Sequence, residues 1–310
     1  MRRLLFIIAI FLITTFTAKA QYYVDYGFSV GASAYLGEFG GGEGSRKDFV
    51  LDMHLNHTKW TVGGFYRYRI SNTFAVKGSL NYIRISGDDA DSQNPARRGR
   101  NLSFRNDMFE FLVNGELYIY KINDVGGTGR YQNDFNLYLF GGVGLFYSNP
   151  KGEDASGNWV ALRELKTEGV SYSAFNFAIP LGVGFYYTIN RKYRLGLEVG
   201  WRTTFTDYID DASDVYVSHS DPYIASLADK SSPELSAQIR AENPDAEYLP
   251  YPSTYQPGRK RGDPTNNDSY MTATVNFSWA IRGRSKFYKA KHSWVLGKKG
   301  RRRRKSRAKF

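Results

Sequence analysis

Asp52, His54 and His57 bring a carboxylate and two imidazoles close together in sequence, a donor set that suits a divalent transition metal. Two acidic runs, Asp88-Asp89-Ala90-Asp91 and Asp207-Tyr208-Ile209-Asp210-Asp211-Ala212-Ser213-Asp214, offer the oxygen ligands that calcium takes. Neither pattern is built to hold its ion. A spacing of three between the histidines fixes no geometry in a loop, and the acidic runs lack the glycine and terminal glutamate of an EF-hand. They read as solvated loop acids. His219 is the remaining histidine outside the C-terminal segment, and no pattern pairs it with a nucleophilic serine. The absence of cysteine rules out disulfides, Cys-ligated zinc and thiol catalysis. These residues therefore predict no enzyme, no metal and no cofactor.

The elements that carry them are short-period strands. Tyr193-Arg194-Leu195-Gly196-Leu197-Glu198-Val199-Gly200-Trp201-Arg202 puts Arg194, Glu198 and Arg202 on one face and Leu195, Leu197, Val199 and Trp201 on the other. The same alternation recurs in eight segments, 22–36, 60–70, 73–86, 107–120, 134–148, 174–189, 192–206 and 269–282. No amphipathic helix is long enough to cover the apolar face, so that face needs lipid. A closed barrel in a bilayer satisfies every backbone group without a covering layer. The predicted fold is all-β: an eight-stranded antiparallel transmembrane β-barrel with long external loops and a basic C-terminal tail. A mean hydropathy of −0.48 fits this, because polar lumen residues and loops dilute the apolar ones.

The lipid face comprises Val24, Tyr26, Phe28 and Val30; Val62, Tyr66 and Tyr68; Phe74, Val76 and Leu80; Phe109, Phe111, Val113 and Leu117; Phe175 through Val183 at every second residue; and Val275, Phe277 and Trp279. Tyrosines and Trp60, Trp201 and Trp279 near strand ends predict aromatic belts. The lumen face gathers Asp25, Arg67, Arg69, Lys77, Glu110, Glu116, Arg194, Glu198 and Arg202, with Tyr138 and Phe140. Charges so near balance must pair away from water, and Arg194 and Arg202 are the expected partners of Glu198. Eight strands leave room only for side chains, so no conduction is expected.

Joints alternate in length. Ser71-Asn72 and Asn190-Arg191 read as two-residue turns and 121–133 as a longer glycine-rich one, while 37–59, 87–106, 149–173 and 207–268 are long loops. This predicts an external end of long loops and a periplasmic end holding both termini. Within the last loop, Ser232-Pro233 caps a short helix over Ser236–Ala241, Asn243-Pro244 ends it, and the later prolines hold the chain extended.

Residues 1–20 read as a signal peptide: Arg2 and Arg3, an apolar run over Leu4–Ile13, and Ala18-Lys19-Ala20 before a cleavage point at Gln21. The barrel then occupies 21–282 and a basic periplasmic tail 283–310. The formal net charge of +12 resides in that tail: residues 282–310 hold 14 Lys or Arg and no acid, residues 1–20 hold three more, and 21–281 carry −5. Trp294, Lys298, Lys299, Arg301, Arg302, Arg303, Arg304, Lys305, Arg307 and Lys309 are the candidate partner-binding residues. Behind an export signal such a run meets no nucleic acid, and lipid phosphate or an acidic periplasmic protein is its expected target.

Five blocks carry a further resemblance: Tyr35-Leu36-Gly37-Glu38, Arg67-Tyr68-Arg69, Gly87-Asp88-Asp89-Ala90-Asp91-Ser92, Arg100-Asn101-Leu102-Ser103-Phe104-Arg105, and Phe205 through Ser213. With the export signal they resemble the PorG-like family of outer-membrane barrels in the type IX secretion system of the Bacteroidota. The resemblance implies a non-enzymatic structural or assembly role, in which the barrel anchors at the outer membrane a periplasmic ring built by the lipoprotein PorK and its partner PorN. The alternative is a general surface barrel whose external loops bind a ligand or mediate adhesion.

Overall fold

The computed structural model describes residues 22–37, 39, 57–123, 125, 133–246 and 248–282. Its strands are β1 (Tyr22–Leu36), β2 (Lys59–Arg69), β3 (Phe74–Asp88), β4 (Ser103–Ile122), β5 (Asp134–Tyr147), β6 (Pro150–Glu153), β7 (Trp159–Ala161), β8 (Phe175–Ile189), β9 (Tyr193–Thr204) and β10 (Ser269–Arg282). The helices are α1 (Pro95–Arg100), α2 (Pro222–Ala228) and α3 (Pro233–Glu242). Eight long strands pair antiparallel with their neighbours in the order β1-β2-β3-β4-β5-β8-β9-β10, and β10 returns to β1 in the register Tyr26↔Trp279 and Val30↔Val275. The sheet has no free edge among these eight. The expected all-β barrel is thus the observed one.

Alternation sorts the side chains inside out. Val62, Leu80, Phe109, Phe111, Phe177, Leu181 and Val275 are exposed on the outer wall, and the charged inward residues are buried. None of the residues expected to face lipid is buried. Such a surface is stable against hydrocarbon and costly in water, as in a transmembrane barrel. Aromatic groups mark both borders. Tyr26 stacks with Trp279 at one end, and Trp60 stacks on Tyr82 and Tyr82 against Phe109 at the other. Phe109 and Tyr120 lie near opposite borders of β4; at about 3.3 Å per residue and a tilt of roughly 40°, that is about 28 Å, a hydrocarbon core.

The joints follow the expected asymmetry, with differences of detail. Asn190 and Arg191, both at positive φ, make the predicted two-residue turn. The Ser71-Asn72 joint is instead four residues, 70–73, because the Ser71 hydroxyl accepts from the amides of Thr73 and Phe74 and closes a wider turn. β4 starts four residues earlier than expected, and its extension pairs with β6, so the 149–173 loop contains a hairpin standing above the wall. The helix predicted over Ser236–Ala241 is α3, and Ser232 caps it as expected. Two helices lie where loop was expected: α1 is capped by Asn94 with Pro95 following, and α2 by Asp221 with Pro222 following. The same cap-plus-proline signal marks all three.

Inward glycines face the large lumen rings. A Cβ on Gly184 would come within 2.6 Å of the Tyr138 ring and 2.7 Å of the Glu198 side chain. Gly184→Val is expected to overpack the lumen and destabilise the barrel by about 1–3 kcal/mol, read as a lower midpoint of urea unfolding in detergent or lipid.

Candidate functional site

The lumen is a ladder of charges, each inward because its strand alternates, and each bonded to a partner on a neighbouring or facing strand. Near the short-turn end Arg69 lies 4.3 Å from the Tyr118 ring and donates to the Tyr186 hydroxyl at 2.9 Å. Above it Arg67 bridges Asp25 at 2.9 Å and Glu116 at 2.8 Å, and Arg194 takes the other oxygen of Asp25. Lys77 then meets Glu198 at 2.5 Å, where Tyr138 also donates. Near the mouth Glu110 accepts from Tyr270 at 2.7 Å, from Asn81 at 2.9 Å and from Arg202 at 3.4 Å. All eight lumen charges predicted as a network, Arg67, Arg69, Lys77, Glu110, Glu116, Arg194, Glu198 and Arg202, are buried in it, with Asp25.

The pairing differs from the expected one. Glu198 is held by Lys77 of β3, while Arg194 turns to Asp25 of β1 and Arg202 to Glu110 of β4. Residues four apart on an extended strand lie about 13 Å apart, whereas opposite walls of this lumen are within one side chain's reach. Voids of about 20 and 10 Å³ remain, each room for about one water.

Over the mouth sits an apolar layer including Tyr35, Phe39, Ile83, Phe104, Phe146, Ile209 and Tyr270. Described residues of the loops 87–106, 149–173 and 207–268 fold onto this layer as a cap. Arg261 is its hub: it pairs with Glu168 at 2.8 Å, donates to the carbonyl of Ala228 at 3.1 Å, and lies 3.6 Å from Asp211. Arg100 grips Asp89 with two hydrogen bonds at 2.7 and 2.9 Å and reaches the carbonyl of Arg261. Asn106 donates to the carbonyl of Ile209, and Glu168 accepts from the amides of Ser213 and Asp214. Tyr35 donates toward both Asp210 and Asp268. Burial, with Asp210 and Asp207 nearby, holds the Asp268 carboxyl well above the usual carboxylate range. A hydroxyl has one proton, so one of the two carboxyls must supply the other.

The acidic runs thus anchor the cap. Asp88 accepts from the amide of Ala90, Asp91 meets His57 at 2.8 Å, and Asp211 takes the hydroxyls of Thr167 and Tyr172. His219 bonds the carbonyl of Thr167. Among the described residues no cluster of His, Asp and Glu is arranged to hold a metal. Asp52 and His54 lie outside the described residues, as do Trp294, Lys298, Lys299, Arg301, Arg302, Arg303, Arg304, Lys305, Arg307 and Lys309. Sequence reading missed Glu168 and Arg261, whose only local signal was a loop position. Four of the five resemblance blocks converge on the cap, through Tyr35, Asp89, Arg100 and Asp210, a function that their separation in sequence concealed.

Replacing Glu198 by Lys sets a third cation beside Lys77 and Arg67. Removing one partner of a buried pair costs about 3–5 kcal/mol, so the reversal is expected to prevent stable folding; Lys77→Met with Glu198→Leu is expected to recover most of the loss in the same unfolding assay. A pH prediction concerns the cap. Burial raises the Asp211 carboxyl to about 6, against the opposing pull of Arg261, Thr167 and Tyr172. The folded cap therefore binds that proton more tightly than the unfolded chain, whose aspartates titrate near 3.9. Its contribution is full below about pH 4 and is lost as pH rises through about 6. The protection factors of residues 207–216, exchange rates divided into the intrinsic rate at the same pH, are expected to be larger at pH 5 than at pH 8, and Asp211→Asn, which keeps the left-handed backbone, is expected to flatten that dependence.

No curated protein matches the sequence. Solved structures similar to it include Ail, the attachment invasion locus protein of Yersinia pestis (9% identity, 83% of this chain and 98% of that one, TM-score 0.32), and the outer membrane protein OprG from Pseudomonas aeruginosa (9%, 86% and 98%, 0.34). Neisserial surface protein A (NspA) is another (9%, 84% and 98%, 0.32). The model of the domain of unknown function DUF6089 matches residues 2–221, and the chain belongs to that family.

Proposed function

We propose that this chain is a non-enzymatic barrel of the bacterial outer membrane that serves as a structural component of type IX protein secretion, anchoring a periplasmic lipoprotein ring. One observation carries the structural part: the lumen is filled by paired charges and closed by a folded cap, which supports a role that passes nothing through the barrel. Work is then left to the ends. β10 finishes at Arg282 on the short-turn end, opposite the cap, so the 14 cations of 282–310 leave from the face that would meet the periplasm. The secretion role rests on the resemblance of the cap-forming blocks and on that basic segment, which suits an acidic ring protein. The alternative, ligand binding by the loops, gains little from a cap whose acids Asp89, Glu168 and Asp211 are engaged by Arg100 and Arg261.

The chain has no cysteine, so single introduced thiols report its orientation cleanly. Gln256→Cys in the cap is expected to react with an impermeant maleimide on intact cells, and Asn72→Cys in a short turn only after the outer membrane is opened. The reverse pattern would invert the orientation. Deleting 297–310 is expected to leave the barrel inserted but to reduce co-purification of the lipoprotein ring and secretion together; unchanged recovery of both would remove the anchoring role. In planar bilayers no steady single-channel current is expected, and a stable conductance would contradict the sealed lumen.

A further inference from the structure

The outer wall of β2 to β5 departs from a plain apolar girdle at the cap end. Arg84, Arg105 and Asp107 face outward because they share parity with Tyr82, Phe109 and Phe111 on the same strands. The register sets Arg84 beside Asp107, Ser86 beside Arg105, and Arg105 beside Lys151 of the β6 hairpin. Three cations therefore crowd one carboxylate: Asp107 lies 2.5 Å from Arg84, 3.7 Å from Arg105 and 3.7 Å from Lys151. The next acids on these strands, Asp88 and Glu153, lie four residues beyond Arg84 and two beyond Lys151, on the side away from the groove. The three cations remain partly open, with side chains 26–32% exposed.

Directly below is an open groove of about 480 Å³, walled by Leu80, Tyr82, Phe109, Phe111, Tyr147 and Phe175. Trp60 stacks on Tyr82 at 4.9 Å, and the Arg84 guanidinium stands 5.5 Å from the Trp60 ring, which sets the cations at headgroup height. Excess positive charge at that height asks for an anion, and guanidinium forks match phosphate oxygens. The groove beneath asks for a hydrocarbon chain.

We propose that this wall is a binding site for an anionic, phosphate-bearing lipid of the leaflet on the cap side, with an acyl chain in the groove and the phosphate held by Arg84, Arg105 and Lys151. The site rests on the reading of the chain as a membrane barrel. Its phosphate binds at the border of the bilayer, and its chain replaces a bulk lipid on the wall.

The test uses the full chain, folded in detergent and checked for heat-modifiable migration, then analysed by native mass spectrometry with lipid A, phosphatidylglycerol or phosphatidylcholine added. Lipid A and phosphatidylglycerol, which carry net negative charge, are expected to be retained in preference to phosphatidylcholine by at least about tenfold, the scale of one charge-assisted hydrogen bond. R84Q/R105Q/K151Q is expected to erase that preference, and Phe111→Trp, which narrows the groove, to weaken all three lipids. Should the triple variant misfold, Lys151→Gln alone, on the external hairpin, is expected to lower the preference measurably. Equal retention of the three lipids, or an unaltered preference in the folded basic-residue variants, would overturn the proposal. Displacement of lipid A by millimolar inorganic phosphate would reduce the site to an anion site without a lipid and overturn it equally. A chain that folds but fails to insert into vesicles would remove the membrane reading itself, and the lipid site with it.

Discussion

Closure of the sheet is the constraint from which the rest follows. A strand crossing hydrocarbon has no solvent for its amides and carbonyls, so the first and last strands must find each other, and β1 and β10 do so along almost their whole length. Eight strands closed in this way enclose little space, and half the side chains of each strand point into it. Glycines such as Gly184 and Gly200 then become necessary where Tyr138 and Phe140 reach across. The enclosed charges gain neither water nor lipid, so they meet one another. Arg67 shows the outcome: it is 2% exposed, hydrogen-bonded to two carboxylates and a tyrosine hydroxyl, with Glu198 3.6 Å from its guanidinium.

Alternation made the barrel legible. The face of Arg194, Glu198 and Arg202 is set by a period of two, and no later contact can change it without a register slip that turns every side chain over. Their partners are a different kind of information. Whether Glu198 meets Lys77 or an arginine of its own strand depends on how far the walls stand apart and on the relative stagger of strands remote in sequence. Turn widths sit between these cases, since Ser71 widened its joint with a local side-chain bond that composition alone does not disclose.

The cap was the least legible part. Its hub, Arg261, lies in a stretch of loop with neither period nor motif; its partner Glu168 comes from the 149–173 loop and Asp211 from fifty residues back in its own loop. Short polar blocks drew notice for their likeness to a family, while their common role, packing the loops over the apolar layer, emerges only from the fold. Asp89 and Asp211, which read from the sequence as solvated loop acids, are instead buried beside Arg100 and Arg261.

Tyr35, at the end of β1, reaches Asp268, the residue before β10. At the opposite end of the same seam Asp25 of β1 accepts from Ser278 of β10. The seam is therefore buttoned by side chains at both ends as well as laced by backbone. The mouth's apolar layer also includes Tyr270, which the last strand supplies. The loops therefore have no finished floor to settle on until the final strand is in place, which couples closure of the wall to packing of the cap.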